Sequence, residues 1–257
     1  MNKPLFRATG LSKKFGGVLA VDCVDLQIHE AEVLGLIGPN GAGKTSCFNL
    51  ITGFYKPDSG QFQFKGNHYT PTSPNAVARM GISRTFQNIR LFNSMTALEN
   101  VLIGMHLKTR QGVLGAVLRS PAQRREETQA KERALNWLDY VGIGQYAHYL
   151  AKQLAYGDQR RLEIARALAS EPSLLALDEP AAGMNATEKL KLRELLLRIR
   201  NEGKSILLIE HDVKLVMGIC DQVTVLDYGK VIEHGTPAEV QRSPSVIKAY
   251  LGGLHGA

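Results

Sequence analysis

Val33-Leu34-Gly35-Leu36-Ile37-Gly38-Pro39-Asn40-Gly41-Ala42-Gly43-Lys44-Thr45-Ser46 decides the fold. Its first five residues form a continuous apolar run that stops at a Gly/Pro/Asn loop. That is the pattern of a buried strand feeding a turn. The next eight, Gly38 to Thr45, fit G-x-x-x-x-G-K-[ST], the P-loop, and a helix is expected to follow. Glycines let backbone N–H groups turn inward around phosphate oxygens. Lys44 neutralises β/γ charge, and the Thr45 hydroxyl suits Mg²⁺. Pro39, Asn40, Ala42 and Ser46 complete the phosphate-binding set. The strand–loop–helix order separates this motif from a glycine-rich turn that binds nothing.

Further along, Leu174-Leu175-Ala176-Leu177-Asp178-Glu179 is an apolar strand ending in two carboxylates, the Walker B pattern. Alone it would be an ordinary solvated strand end. Beside a P-loop, Asp178 is the expected Mg²⁺ holder and Glu179 the expected general base for an attacking water. Leu174–Leu177 and Ser205–Ile209 repeat the continuous apolarity of 33–37, which predicts parallel strands covered on both faces. Leu19–Ile28 and Gln61–Phe64 alternate instead and predict antiparallel pairing. Helix starts are marked at Ser120-Pro121-Ala122-Gln123, at Thr236-Pro237-Ala238-Glu239 and at Asn185 with Glu188, whose helix runs to about Asn201 with Gly203 near its stop. From 88 to 157 the patterns are helical. The expected class is an α/β P-loop NTPase core with an antiparallel β subdomain and an inserted helical subdomain.

Leu154-Ala155-Tyr156-Gly157-Asp158-Gln159-Arg160-Arg161, leading into Leu162-Glu163-Ile164-Ala165-Arg166-Ala167-Leu168, resembles the signature of ATP-binding cassette (ABC) proteins, Leu-Ser-Gly-Gly-Gln and its helix. It stands just before Walker B, the family order. The resemblance implies that Ala155, Tyr156, Gly157 and Asp158 meet the γ-phosphate of ATP held by a second cassette, so that two cassettes sandwich two ATP molecules. It implies a Q-loop glutamine at Gln87 that senses Mg²⁺, a switch histidine at His211 that contacts the γ-phosphate, and an adenine-stacking aromatic at Phe15. Asn185 takes the place of the D-loop aspartate. Taken singly, a His after a strand or a Phe beside Gly16-Gly17 is ordinarily structural; the shared order assigns the roles.

The resemblance covers nearly the whole chain and sharpens. Pro180-Ala181-Ala182-Gly183-Met184-Asn185, Ile209-Glu210-His211-Asp212-Val213-Lys214-Leu215-Val216-Met217, the tail Ala249-Tyr250-Leu251-Gly252 and a helical insert around 107–133 resemble the LivG-type subunits of branched-chain amino acid importers. Such importers pair this subunit with a different ATPase, two membrane permeases and, indirectly, a periplasmic binding protein. A heterodimer of cassettes is therefore expected, with a homodimer as the other arrangement. Lipopolysaccharide-transport ATPases are the neighbouring alternative. The single ATPase domain would span 1–257, with 1–87 and 158–257 as a RecA-like core plus β subdomain and 88–157 as the helical part. Phe86, Leu91, Phe92 and Met95, beside Gln87, are the expected apolar contact with a permease. The signature departs from the general pattern: Ala155 replaces Ser, Tyr156 replaces Gly, and Asp158 replaces Gln. A hydroxyl contact to the γ-phosphate is lost, and negative charge is added near the triphosphate.

Composition agrees with a globular chain of 257 residues, 44% hydrophobic and 21% charged. The formal net charge of +7 favours an acidic partner, an anionic ligand or an anionic membrane face without choosing among them. Three cysteines, Cys23, Cys47 and Cys220, match no zinc or redox spacing and suit free thiols in a reducing compartment. The start, Met1 to Gly10, has no apolar signal segment, and Val101–Leu118 is broken by Lys108 and Arg110. The expected location is the cytoplasmic face of the cell membrane, attached through partners. A nucleic-acid-linked ABC protein would carry two cassettes, a coiled coil or a zinc module, so no nucleic-acid partner is expected. A P-loop kinase would need neither the signature nor the switch histidine.

Overall fold

In the computed structural model, residues 3–105 and 121–252 are described. Five parallel strands build the central sheet: β3 (Val33–Ile37), β6 (Ile82–Arg84), β7 (Leu174–Asp178), β8 (Ser205–Ile209) and β9 (Gln222–Asp227). With β10 (Lys230–Gly235) the order is β10-β9-β3-β8-β7-β6. All neighbours pair in parallel except the β9–β10 hairpin. Every residue of β3, β7 and β8 is buried. Successive side chains leave opposite faces of a strand, so the run splits between two cores. Val33, Ile37, Leu175, Leu177, Ile206 and Leu208 enter one; Leu34, Leu36, Leu174, Ala176, Leu207 and Ile209 enter the other. This is the physical content of the unbroken hydrophobic pattern.

The second sheet is wholly antiparallel: β1 (Phe6–Phe15), β2 (Val18–Ile28), β4 (Ser59–Phe64) and β5 (Asn67–Tyr69), in order β2-β1-β4-β5. Its buried residues Phe6, Leu11, Val24 and Phe62 share a core with Phe48 and Ile51 of α1 (Lys44–Ile51). A short helix, α2 (Pro74–Met80), precedes β6.

Between β6 and β7 lie α3 (Ala97–Met105), α4 (Pro121–Tyr140) and α5 (Tyr156–Leu168). Val101, Leu138, Ile143 and Leu162 pack them into the same core as the sheet's outer face. A Cβ built at Gly104 would fall 2.1 Å from the Arg166 carbonyl oxygen, so α3 and α5 approach as closely as backbone allows. Helix α5 runs unbroken through the 157/158 boundary drawn from the sequence. The Ser120 cap and the 107–120 part of the insert lie outside the described residues.

Helices α6 (Ala186–Asn201), α7 (Val213–Ile219), α8 (Pro237–Arg242) and α9 (Pro244–Gly252) complete the chain. Two sequence-predicted caps form as reciprocal boxes. The Asn185 side chain accepts from Glu188 N at 3.0 Å while Glu188 accepts from Asn185 N at 2.8 Å. Thr236 and Glu239 do the same.

Candidate nucleotide site

The loop after β3 has no room for side chains at two places. Gly38 has φ 149°, and a Cβ there would meet the Leu226 carbonyl oxygen at 2.1 Å. Gly43 has φ 98°, and its Cβ would meet the Ala20 carbonyl oxygen at 2.3 Å. The β9–β10 turn fastens the loop from outside, where Gly229 N donates to Ala42 O at 3.0 Å. The first turn of α1 thus faces a groove of about 280 Å³ lined by Val18, Leu19, Gly41 to Ser46 and Tyr228. Lys44 is 6% exposed, and its Nζ donates to the carbonyls of Gly38 and Pro39 at 2.8 Å each. Burial lowers its pKa, while Glu179 and Asp178 push it back up.

Asp178 ends β7 at 2% exposure. Burial raises its carboxyl to about 6, opposed by Arg84 at 4.0 Å and reinforced by Glu179. Its Oδ1 is buried without a hydrogen-bond partner. An orphaned carboxylate oxygen costs about 1–3 kcal/mol, a cost a cation would relieve, and a carboxylate, a hydroxyl and phosphate oxygens form a donor set suited to Mg²⁺. Next in the chain, Glu179 adopts φ 49°, a left-handed conformation that costs a non-glycine residue about 1–3 kcal/mol. That turn aims its Oε1 at His211 Nε2, 2.5 Å away. Glu210, 4% exposed, accepts from Ala181 N at 2.7 Å and from His211 N at 3.1 Å. It ties the turn after Walker B to the histidine.

Gln87 is exposed on the segment leaving β6. The preceding Arg84 is caged by Phe48, Phe54 and Phe86 at 4.7, 4.3 and 4.7 Å from the ring centroids. It also donates to Asn49 Oδ1 at 2.8 Å and Thr52 Oγ1 at 2.7 Å. Burial lowers its pKa only to about 10, so it stays charged near neutral pH. Sequence patterning assigned no role to Arg84, Arg160, Glu163 or Glu210.

Lys44 lines the groove and feels the charges of Asp178 and Glu179, and Glu179 is bonded to His211. It does not bring Ala155, Tyr156, Gly157 or Asp158 into the groove lining. These four form the N-terminus of α5, where Ala155 is the cap residue and offers no side-chain hydrogen bond. Asp158 pairs with Arg161 at 3.4 Å, so the expected added negative charge is compensated locally. Phe15 is 39% exposed and stands edge-on to Tyr55 at 5.1 Å, outside the groove lining. Asn185 spends its side-chain oxygen on capping α6. Of the expected contact residues, Leu91 packs against the core, whereas Phe92 is 46% exposed.

A family model described as ABC transporter matches residues 21–182, which holds the loop, the α5 motif and both carboxylates. This chain belongs to the ABC transporter family. The cassette also matches, over residues 230–255, a model described as branched-chain amino acid ATP-binding cassette transporter. It is 48% identical to the high-affinity branched-chain amino acid transport ATP-binding protein LivG of Salmonella typhimurium, covering 98% of this chain and 99% of that one. The lipopolysaccharide export ATP-binding protein LptB of Acidithiobacillus ferridurans stands at 34%, over 96% and 97%. The crystal structure of the ADP conformation of MJ1267, an ATP-binding cassette, superposes with a TM-score of 0.84 at 30% identity, covering 97% and 99%. The dimeric cassette MJ0796 superposes at 0.77 with 26% identity, covering 90% and 98%. Cassettes of this family bind nucleotide and are ATPases that power transport, pairing with one another and working with membrane permeases. Among the described residues no helix is long and apolar enough to cross a membrane.

Proposed function

We propose that this cassette hydrolyses ATP to drive import of branched-chain amino acids. It works on the cytoplasmic face of the cell membrane, opposite a second, non-identical cassette and beneath two permeases fed by a periplasmic binding protein. The observation that carries the reading is the Glu179–His211 pair beside Lys44 and the orphaned Asp178 oxygen. Likeness to LivG over nearly the full chain supports the substrate class.

Each residue's role follows from its surroundings. Lys44 is already buried and charged-partner-rich, and an entering triphosphate offers its ammonium anionic oxygens in place of the Gly38 and Pro39 carbonyls. The N–H groups of Gly41 to Ser46 and the α1 dipole hold the phosphates. Thr45, Asp178 and Gln87 would hold Mg²⁺, which would neutralise charge on the triphosphate. Glu179 accepts the proton of the attacking water as the γ-phosphorus forms its new P–O bond and the bridging oxygen leaves with ADP. His211 orients Glu179 beforehand and meets the γ-phosphate. Phe15, exposed beyond the groove, would stack on adenine. The partner's signature excludes bulk water. Phe54, Phe86, Phe92, Ile103 and Arg166 line a cleft of about 350 Å³ beside Gln87, the expected seat of a permease segment.

Purified transporter carrying Glu179→Gln tests this. Retained ATP binding with hydrolysis slowed about 10²–10⁴-fold is expected. A rate near wild type would remove Glu179 from the role of base. Uptake of radiolabelled leucine by the wild-type complex in proteoliposomes tests the substrate class.

A further inference from the structure

The α5 N-terminus is wired to a loop of its own cassette by two buried, oppositely charged side chains. Arg160, one turn into α5, is 2% exposed, yet it carries a guanidinium. Its Nη1 donates to the Phe86 carbonyl at 2.6 Å, and its Nη2 donates to the Gln87 carbonyl. Glu163, 1% exposed, accepts from Phe86 N at 3.2 Å and Arg90 N at 3.4 Å, and pairs with Arg160 Nη1 at 3.3 Å. One buried ion pair thus holds four backbone groups of the 86–90 segment. A buried pair is a poor source of stability but fixes geometry when its hydrogen bonds are made.

Tyr156 extends this network outward. Its hydroxyl accepts from Arg160 Nη2 at 3.0 Å, so one nitrogen serves both the tyrosine and the Gln87 carbonyl. Its ring lies over Gly183, where an added Cβ would fall 3.0 Å from Cε1, and 45% of the residue is exposed. Arg160 Nε is buried without a partner. Nη2 carries two N–H groups, one for each acceptor, and the guanidinium is rigid and planar, so a shift of Tyr156 tilts the same nitrogen that holds the Gln87 carbonyl.

We propose that Tyr156 is a positioning residue: it couples the nucleotide held by the opposing cassette to this chain's own 86–90 segment, through its hydroxyl and the Arg160 guanidinium. The inference rests on the paired-cassette reading above. Contact at the exposed ring changes the Arg160–Gln87 bond and, beside it, the cleft that ends at Phe92. Because coupling is reciprocal, a permease that moves the 86–90 segment alters the grip on the opposing nucleotide.

The test is hydrogen exchange on the assembled transporter, with and without Mg-ATP, with Glu179→Gln in this chain and the matching carboxylate change in the opposing cassette, so that both sites hold ATP. With Tyr156 present, ATP should change exchange at residues 86–90 and protect 38–46. Tyr156→Phe keeps the ring and removes only the hydroxyl. It should leave the protection at 38–46 intact and shrink the change at 86–90 by about five-fold or more, the size of a modest coupling. A purely structural tyrosine would leave the ATP-dependent change untouched, and that result overturns the proposal. In an otherwise wild-type complex, ATPase losses from Tyr156→Phe and Arg160→Lys should fail to multiply when combined, since both cut one connection. Fully multiplicative losses would also overturn it. Failure of the paired-cassette reading looks different: ATP protects 38–46 but gives no protection at 155–158 in the unmutated chain.

Discussion

Arg84 is gripped by aromatic faces from three segments, the α1 phenylalanine Phe48, Phe54 beyond that helix, and Phe86 after β6. It is also the nearest cation to Asp178. Its removal should strand a buried carboxylate and empty the cage. Arg84→Met, which keeps much of the stem volume, is expected to cost about 3–5 kcal/mol, as breaking a buried pair does. Urea denaturation of the purified chain measures it; a loss under about 1 kcal/mol would mean the pair at 4.0 Å is screened. The cysteines make a second residue-scale prediction. Burial pushes Cys47 and Cys220 up to about 12, whereas Cys23 is exposed on β2. A charged maleimide at neutral pH should label Cys23 alone in the native chain and all three cysteines after denaturation. Mass spectrometry reads the count, and native labelling of Cys47 would contradict the packed core around α1.

At the scale of elements, α5 is the part whose two ends do different work. Its first turn lacks a side-chain cap, because Ala155 stands at the cap position with extended backbone, φ −60° and ψ 155°. Ala155→Ser supplies an oxygen for the orphan N–H groups and should stabilise the chain by about 0.5–2 kcal/mol. If the proposed cassette pair places this position against the opposing ATP, the same hydroxyl should also raise hydrolysis at the partner's site. A gain in melting temperature with no change in that rate would make Ala155 a neutral variant for catalysis. At its other end, α5 lies backbone to backbone against α3. Gly104→Ala forces a methyl to within 2.1 Å of the Arg166 carbonyl oxygen unless the helices part. A loss of about 1–3 kcal/mol is expected, with the cleft beside Phe92 distorted; thermal unfolding would expose an unchanged chain as evidence that the helices separate freely.

Across the whole molecule, the site is split between what one chain assembles and what a second must bring. Lys44, Asp178, Glu179 and His211 converge from the ends of β3, β7 and β8, the carboxyl edge where open α/β sheets bind ligands. The α5 N-terminus lies outside that groove, so the proposed nucleotide contact there needs a second cassette. The cap boxes at Asn185 and Thr236, the P-loop and the Walker B strand were all legible because each is a contiguous pattern. Leu91 shows the limit: its neighbour Phe92 is exposed while Leu91 itself is half-buried against the core, and nothing in a run of five residues distinguishes them.

The sequence by itself determined the strand–loop–helix unit that begins at Val33, the parallel order implied by three unbroken apolar runs, and the antiparallel alternation of β2 and β4. These depend on backbone sterics and on side-chain periodicity, which act within a few residues. It also determined family membership, because the motifs stand in a fixed order. Only the tertiary structure decided that Lys44 rests on carbonyls of its own loop, that Glu179 meets His211 32 residues away, and that Arg160 reaches the Phe86 carbonyl across 74 residues. A buried charge must find its partners wherever the fold supplies them, since leaving it unpaired in a low-dielectric interior is too costly. That search is settled by packing in three dimensions, and no local pattern records its outcome.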